Sequence, residues 1–267
     1  METIEAVIAR SLTAKSTELL PYLPYILQDL WELGASPKDV IELITKHIPV
    51  SANTQVLDLA CGKGAVSVNL AKQLGCHVKG IDIMPEFIDY AIEKAKAYGV
   101  ASLCAFVVGD IRASVQVEQH YDVVILGAAG DVLGHPATTL NSLKKTVKQH
   151  GYIILDDAYG IDDNDNSHPT KRQWLEIFDK SGLKLLAEKI IDEDECIALN
   201  QVQQACILKR VNALKKRYPD KVELLDGYIK SQQDECALLE NDIYGVTMLL
   251  QKDDHDETLD SVQLKRG

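Results

Sequence analysis

Acidic residues and glycines recur in this sequence at positions where they could bind a nucleoside. Asp58, Gly62 and Gly64 lie in the segment VLDLACGKGAVSVNLA, and the segments VKGID and FVVGD end in Asp82 and Asp110. Glycines let the backbone approach a ligand closely, and a turn before a helix presents main-chain N–H groups to it. A carboxylate at Asp82 can accept hydrogen bonds from two ribose hydroxyls, and one at Asp110 can accept from an adenine amino group. One such acid would mean little, but three in succession predict a nucleoside site.

Alternating strands and helices must position these residues. Short apolar runs predict buried strands, and the amphipathic segments between them predict helices. The predicted strands are residues 55–59, 77–81, 104–108, 122–126, 152–155, 183–191 and 243–250, and the predicted helices are 64–74, 85–98, 137–149 and 170–180. Such alternation forms right-handed βαβ units, so the predicted fold class is α/β, with a doubly wound, mostly parallel sheet covered by helices on both faces.

An N-terminal helical cap, residues 1–49, is predicted to precede this core. The stretch 16–33 is predicted to be helical but interrupted by prolines, which remove a backbone donor. Ser36 is a predicted N-cap, with Pro37 in the first turn, for a helix that runs to about residue 47.

A helical hairpin, residues 194–241, is predicted between the sixth and seventh strands because apolar residues recur at helical spacing on both sides of Pro219. The core then comprises residues 50–193 and 242–252. The acidic tail, residues 253–267, is predicted to be disordered. We expect the hairpin to be the lid of a ligand pocket, with a dimerisation hairpin, and hence a homodimer, as the alternative.

The composition excludes several classes of partner. A net charge of -12 argues against nucleic-acid binding and against adsorption to an anionic membrane. The apolar runs are too short to span a bilayer, and the start, METIEAVIAR, has no apolar signal core. Six scattered cysteines without a paired motif favour reduced thiols, and we therefore expect a cytoplasmic protein.

At this point the sequence resembles the class I S-adenosylmethionine-dependent methyltransferases, over about residues 50–191 and 243–251. The resemblance implies a seven-stranded sheet whose last strand is antiparallel, and S-adenosylmethionine as the cofactor. It also implies a first motif around the methionine part of the cofactor, a ribose contact at the end of strand two and an adenine contact at the end of strand three. The cofactor-binding residues predicted in this way are Asp58, Ala60, Gly62, Gly64, Asp82, Ile83, Asp110, Ile111 and Gly127, with Tyr25 from the cap.

The acceptor is predicted to be a small molecule. The segment GAAGDVLGHP lacks the (Asp/Asn)-Pro-Pro-aromatic motif of enzymes that methylate amino groups of nucleic acids. His135 and Asp131, in the loop after strand four, are the candidate catalytic residues, and His135 could act as a base toward the acceptor. In the cap, Tyr25 could attract the sulfonium through its aromatic face.

The sequence leaves four further functions open. A metal-assisted O-methyltransferase would use acids such as Asp156 and Asp157, but only one of its three expected ligand positions matches, so no metal site is predicted. A nicotinamide dehydrogenase would require a third glycine or an alanine where Ser67 stands. The chain could also be a catalytically silent S-adenosylmethionine-binding or regulatory protein, or a protein methyltransferase.

Overall fold

Seven strands form one mixed sheet in this computed structural model, which describes residues 3–162 and 168–252. The predicted disordered tail lies outside the described residues. The strands are β1 (Gln55–Leu59), β2 (His77–Asp82), β3 (Cys104–Val108), β4 (Tyr121–Gly127), β5 (Val147–Gly160), β6 (Leu183–Ile190) and β7 (Ile243–Lys252). Their order across the sheet is β3-β2-β1-β4-β5-β7-β6.

Strand direction confirms the predicted fold class. The pairs β1–β2, β2–β3, β1–β4 and β4–β5 are parallel, whereas β7 is antiparallel to both β5 and β6. β6 therefore runs in the same direction as the first five strands. Because those strands are parallel, their carboxyl ends meet at one edge of the sheet, where α/β proteins bind ligands.

Ten α-helices of the described residues surround the sheet or extend from it. They are α1 (Ile4–Ser11), α2 (Leu23–Ile26), α3 (Pro37–His47), α4 (Ala65–Leu74), α5 (Pro85–Ala97), α6 (Ile111–Val117), α7 (Pro136–Thr146), α8 (Lys171–Lys180), α9 (Glu193–Arg217) and α10 (Val222–Asn241). The predicted cap of α3 is present, because the Ser36 side chain accepts a hydrogen bond from the backbone N–H of Asp39.

Three local predictions differ from the structure. The stretch 16–33 contains only a 3-10 helix and the four residues of α2. Pro21, between them, has no backbone N–H to continue a helix, and Pro24 lies in the first turn of α2, where a proline is tolerated. α6 was not predicted, since its seven residues are too few to show a clear period. β5 extends beyond residues 152–155 at both ends, and antiparallel pairing with β7 accompanies it from Tyr152 to Gly160.

Helices cover both faces of the sheet. On one face Leu57 and Val124 pack in a buried cluster with Leu140 of α7 and Trp174 of α8. On the other face, neighbouring strand residues such as Val123 pack in a cluster with α3, α4 and α5. Adjacent residues thus point to opposite faces, as a sheet buried on both sides requires.

The predicted hairpin is present as α9 and α10, and it packs against the N-terminal cap. Ile207, Val211 and Leu225 of the hairpin are buried in one cluster with Leu23 and Ile26 of the cap. These residues of the apolar stripe are therefore buried within the chain. In the described part of the chain, no helix combines the length and the apolar character needed to cross a membrane.

Candidate functional site

The glycine turn, residues 60–64, joins β1 to α4 at the carboxyl edge of the sheet. Ala60, Gly62 and Gly64 have φ values of 55°, 52° and 71°, so the chain reverses directly after β1. The turn is held by hydrogen bonds from Cys61 N to Ile81 O (3.0 Å) and from Gly64 N to Cys61 O (2.9 Å). The first N–H groups of a helix have no partner within it, and those of α4 can therefore bind a negatively charged group.

Asp82 ends β2 beside this turn. Its side chain is buried, and it accepts hydrogen bonds from Gly62 N (2.8 Å) and Met84 N (2.9 Å). Burial raises the pKa of Asp82, against the opposing effect of these N–H donors. A carboxylate has about four acceptor positions, so Asp82 can also accept from the hydroxyls of a ligand.

Asp58 connects β1 to α4 from beneath the turn. It is 3% exposed, and its carboxyl group accepts a hydrogen bond from the Ser67 hydroxyl at 2.5 Å. Burial, with a further contribution from the charge of Asp82, raises the pKa of Asp58 to about 7. Its ionisation state therefore changes near neutral pH.

Asp110 begins α6, where it caps the helix through a hydrogen bond from Arg112 N at 2.9 Å. The Arg112 guanidinium also donates to both oxygens of this carboxylate, at 2.9 to 3.1 Å. Although burial acts to raise it, these hydrogen bonds hold the pKa of Asp110 below its usual value. The carboxylate stays ionised and fixed in orientation at the end of β3.

Lys63, within the glycine turn, fastens the N-terminal cap to the site. Its buried ammonium donates to the carbonyl oxygens of Leu27 and Leu30, the latter at 2.6 Å, and Trp31 Nε1 donates to the Lys63 carbonyl at 3.0 Å. Burial lowers the pKa of Lys63 to about 8. The turn and the cap are therefore held together through side-chain hydrogen bonds.

The carboxyl edge encloses a first cavity, which we call the glycine-turn cavity. It is lined by most of the predicted cofactor residues, namely Asp58, Ala60, Gly62, Asp82, Ile83, Asp110, Ile111 and Gly127. Gly64 does not line this cavity but begins α4. α1 covers the cavity with Ile4, Val7 and Ile8.

A second cavity of about 340 Å³, the hairpin cavity, adjoins the first. It is lined by residues of α9 and α10, by the carboxyl end of β5 and by residues of the cap. The residues that line both cavities are Ser11, Leu12, Leu33, Gly34 and Ala128. At this boundary the chain segments approach so closely that a Cβ at Gly34 would lie 2.5 Å from Ala128 Cβ.

Three residues predicted for the site lie outside the lining of both cavities. His135 precedes α7, where its carbonyl accepts from Thr139 N at 3.0 Å, and Asp131 forms an exposed ion pair with Arg10 at 2.9 Å. Tyr25 lies against the guanidinium of Arg210, 5.5 Å from its ring centroid. None of the three lines either cavity, and their roles at the site stay predictions.

Sequence reasoning missed Lys63 and the residues of α1. In the sequence, Lys63 is simply a lysine between two glycines of the turn. Nothing in this pattern indicates that it would form hydrogen bonds with Leu27 and Trp31, more than thirty residues away. Among the described residues, no group of three His, Cys, Asp or Glu side chains is arranged to hold a metal ion.

Sequence comparison identifies the family. The model of a family described as "Methyltransferase domain" matches residues 50–241. The ribosomal protein L11 methyltransferase of Campylobacter concisus is 30% identical over 120 residues, which are 45% of this chain and 40% of that protein. This chain thus spans less than half the length of that relative.

Solved structures show the same fold. A methyltransferase from Thiobacillus denitrificans, in complex with S-adenosylhomocysteine, has a TM-score of 0.72 at 19% identity, covering 86% of this chain and 97% of that one. A methyltransferase from Geobacter sulfurreducens, in complex with the same compound, has a TM-score of 0.73 at 18% identity, with the same coverage of both chains.

Proposed function

Because this chain belongs to the methyltransferase-domain family, we propose that it binds S-adenosylmethionine in the glycine-turn cavity and methylates a small molecule held in the hairpin cavity. The observation that carries this proposal is that the two cavities adjoin, because their linings share residues that include Leu33, Gly34 and Ala128. Methyl transfer is an in-line displacement, so the acceptor must lie directly beside the methyl donor. Two adjoining cavities meet that requirement.

The residues of the glycine-turn cavity suit this cofactor. Asp82 would accept hydrogen bonds from the ribose hydroxyls, and Asp110 with Ile111 would flank the adenine. The turn at Gly62 and the N-terminus of α4 would hold the methionine part, because they offer backbone N–H groups to a carboxylate. The S-adenosylhomocysteine bound to the two solved methyltransferases of the same fold supports S-adenosylmethionine as the cofactor.

When bound, the cofactor supplies an electrophilic methyl group, and the protein contributes position and exclusion of water. Proximity and alignment can lower a barrier by about 7–11 kcal/mol. Apolar residues such as Leu12 and Leu33 line the boundary between the cavities, where they would keep water from the transferring methyl group. Lys63 and Trp31 would act indirectly, by holding the cap over the glycine turn.

Enclosure by the hairpin supports a small-molecule acceptor. A volume of about 340 Å³ lies within the range of small-molecule sites, roughly 300–1,000 Å³. The net charge of -12 disfavours a nucleic acid as acceptor. All six cysteines are free thiols, which supports a reducing, cytoplasmic location.

The assignment of Asp82 can be tested by calorimetric titration with S-adenosylmethionine. We expect Asp82→Asn to weaken binding by about 2–4 kcal/mol, or roughly 30- to 1,000-fold, because hydrogen bonds to a charged carboxylate contribute about 1.5–3 kcal/mol each. The control is Asp89→Asn, an exposed aspartate of α5. This control should bind the cofactor like the unmodified protein.

Two results would contradict the proposal. Unchanged affinity in a folded Asp82→Asn variant would remove the ribose assignment. Binding without S-adenosylhomocysteine formation in the presence of a broad panel of small acceptors would favour a catalytically silent protein, and turnover only with protein acceptors would favour a protein methyltransferase.

A further inference from the structure

The hairpin cavity contains more negative than positive side chains. Its described lining includes four acids, Asp39, Asp156, Asp157 and Glu235, and one basic residue, Lys189. Lys189 forms ion pairs with Glu42 at 2.7 Å and Asp39 at 3.6 Å, both on α3. The positive charge of Lys189 is therefore compensated at one end of the cavity.

Asp156 and Glu235 have hydroxyl groups rather than cations as partners. The Thr247 hydroxyl donates to Asp156 at 2.6 Å, and the Thr13 hydroxyl donates to Glu235. Within residues 3–162 and 168–252, neither carboxyl group forms an ion pair. Burial, together with the neighbouring charge of Asp157, raises the pKa of Asp156 to about 7. A cation in the cavity would stabilise the ionised form of this carboxyl group.

Tyr228 gives an independent indication of a ligand. It lines the same cavity and is 1% exposed, yet its hydroxyl has no hydrogen-bond partner among the described residues. Buried hydroxyls are nearly always hydrogen-bonded, because an unsatisfied one costs about 1–3 kcal/mol. Burial and the charge of Glu235 raise the pKa of Tyr228, so the phenol stays protonated.

From this arrangement we propose that the hairpin cavity binds an acceptor with a basic amino group, that Asp156 pairs with this group and that the Tyr228 hydroxyl hydrogen-bonds to the acceptor. The inference rests on the proposed function and specifies its substrate class. Apolar residues of the lining, including Leu30, Leu199 and Leu239, would contact the hydrocarbon part of the same molecule.

The amine would be the nucleophile. The bound ammonium group gives one proton to the Asp156 carboxylate, and the freed nitrogen lone pair forms a bond to the methyl carbon. The carbon–sulfur bond breaks with its electron pair on sulfur, which becomes a neutral thioether. The products are the N-methylated ammonium, S-adenosylhomocysteine and a protonated Asp156, which then releases its proton to solvent.

Three probes of the same shape test the charge preference directly: 2-phenylethylamine, 2-phenylethanol and phenylacetate. Each is titrated at pH 8 into the protein saturated with S-adenosylhomocysteine, and binding is followed by calorimetry. We expect the amine to bind at least about tenfold more tightly than the alcohol, since a hydrogen-bonded charge contributes a factor of about ten or more. Phenylacetate should bind least.

Two variants test whether Asp156 and Tyr228 are the residues that bind the amine. Asp156→Asn should lower the amine affinity about tenfold while changing the alcohol affinity less than about twofold. Tyr228→Phe should also weaken the amine, yet leave the urea midpoint unchanged or raised, because its hydroxyl has no partner among the described residues. Asp179→Asn, an exposed acid of α8, is the control that should change neither quantity.

The same samples separate this inference from the proposed function. S-adenosylmethionine should bind the Asp156→Asn variant and the unmodified protein with the same affinity. If the unmodified protein failed to bind this cofactor, the result would contradict the proposed function and not the preference for an amine. The amine inference is overturned if the alcohol or phenylacetate binds as tightly as the amine, if the amine fails to bind at millimolar concentration, or if Asp156→Asn keeps the preference.

Discussion

Two glycines at opposite ends of α4 allow a matched test of how tightly the glycine turn is packed. Gly64 begins the helix and Gly75 follows it, with φ values of 71° and 67°. A Cβ at Gly64 would lie 2.7 Å from Ala91 Cβ and 3.0 Å from Phe106 Cζ, whereas a Cβ at Gly75 would meet nothing within 4 Å. Alanine at either position has the same backbone strain, but only Gly64→Ala adds a collision.

The expected magnitudes follow from this difference. A left-handed conformation costs an alanine about 1–2 kcal/mol, and the lower entropy of the unfolded chain returns about 0.4–1 kcal/mol. Gly75→Ala should therefore destabilise the protein by about 1 kcal/mol. Gly64→Ala should cost about 1–3 kcal/mol more, the usual penalty of overpacking, because the Ala91 methyl group has no rotamer into which it can move.

Urea denaturation followed by circular dichroism measures both variants, and titration with S-adenosylmethionine measures the site. We expect Gly64→Ala to lose stability and cofactor affinity together, since a shift of α5 away from the new methyl group displaces the turn. Gly75→Ala should keep its affinity. Equal losses of stability in the two variants, within about 0.5 kcal/mol, would refute the packing argument.

The other predictions concern ionisation, the hairpin and metal. The folded-state pKa of Asp58 is raised from 3.8 to about 7, so this residue stabilises the folded protein below pH 4, and the stabilisation is lost as the pH rises through 7. Relative to the Asp58→Asn variant, the free energy of unfolding should fall by up to about 4 kcal/mol between these pH values. Parallel pH profiles of the two proteins would contradict this prediction. Val211→Asp, at a fully buried position between the hairpin and the cap, should spare cofactor binding but abolish methyl transfer. Val202→Asp, at a position 62% exposed on the same helix, should leave both cofactor binding and methyl transfer unchanged. An active Val211→Asp variant would show that the hairpin is not the lid. EDTA should leave cofactor binding and methyl transfer intact, and activity that is lost with EDTA and restored by magnesium would revive the metal-assisted mechanism.

Local signals were sufficient for the sheet and for most of the glycine-turn cavity. The runs that end in Asp82 and Asp110 predicted β2 and β3 to within one residue, because short apolar runs rich in valine favour strands. β2 is largely buried, whereas β3 lies at the edge of the sheet and is mostly exposed, which the apolar run did not indicate. The acids that follow or end such strands are brought to one edge by parallel pairing alone. For the same reason the glycine turn was located correctly without knowledge of the packing around it.

Local signals were insufficient where a side chain's direction decides its role. His135, Asp131 and Tyr25 are of suitable types in suitable segments, but none of them lines either cavity. In a loop or an irregular cap there is no period from which direction could be inferred, so residue type gave no reliable guide.

The sequence by itself determined the order of the elements, the turn and the acids at the sheet edge, because each depends on neighbours along the chain. Only the tertiary structure decided the hairpin cavity. The partners there are far apart in sequence: Thr13 donates to Glu235, and Thr247 donates to Asp156. The same holds for the Tyr228 hydroxyl, which no described residue satisfies, and for the carbonyl partners of Lys63. Whether a buried polar group is satisfied depends on what packs against it, and packing between distant segments is set by the fold as a whole.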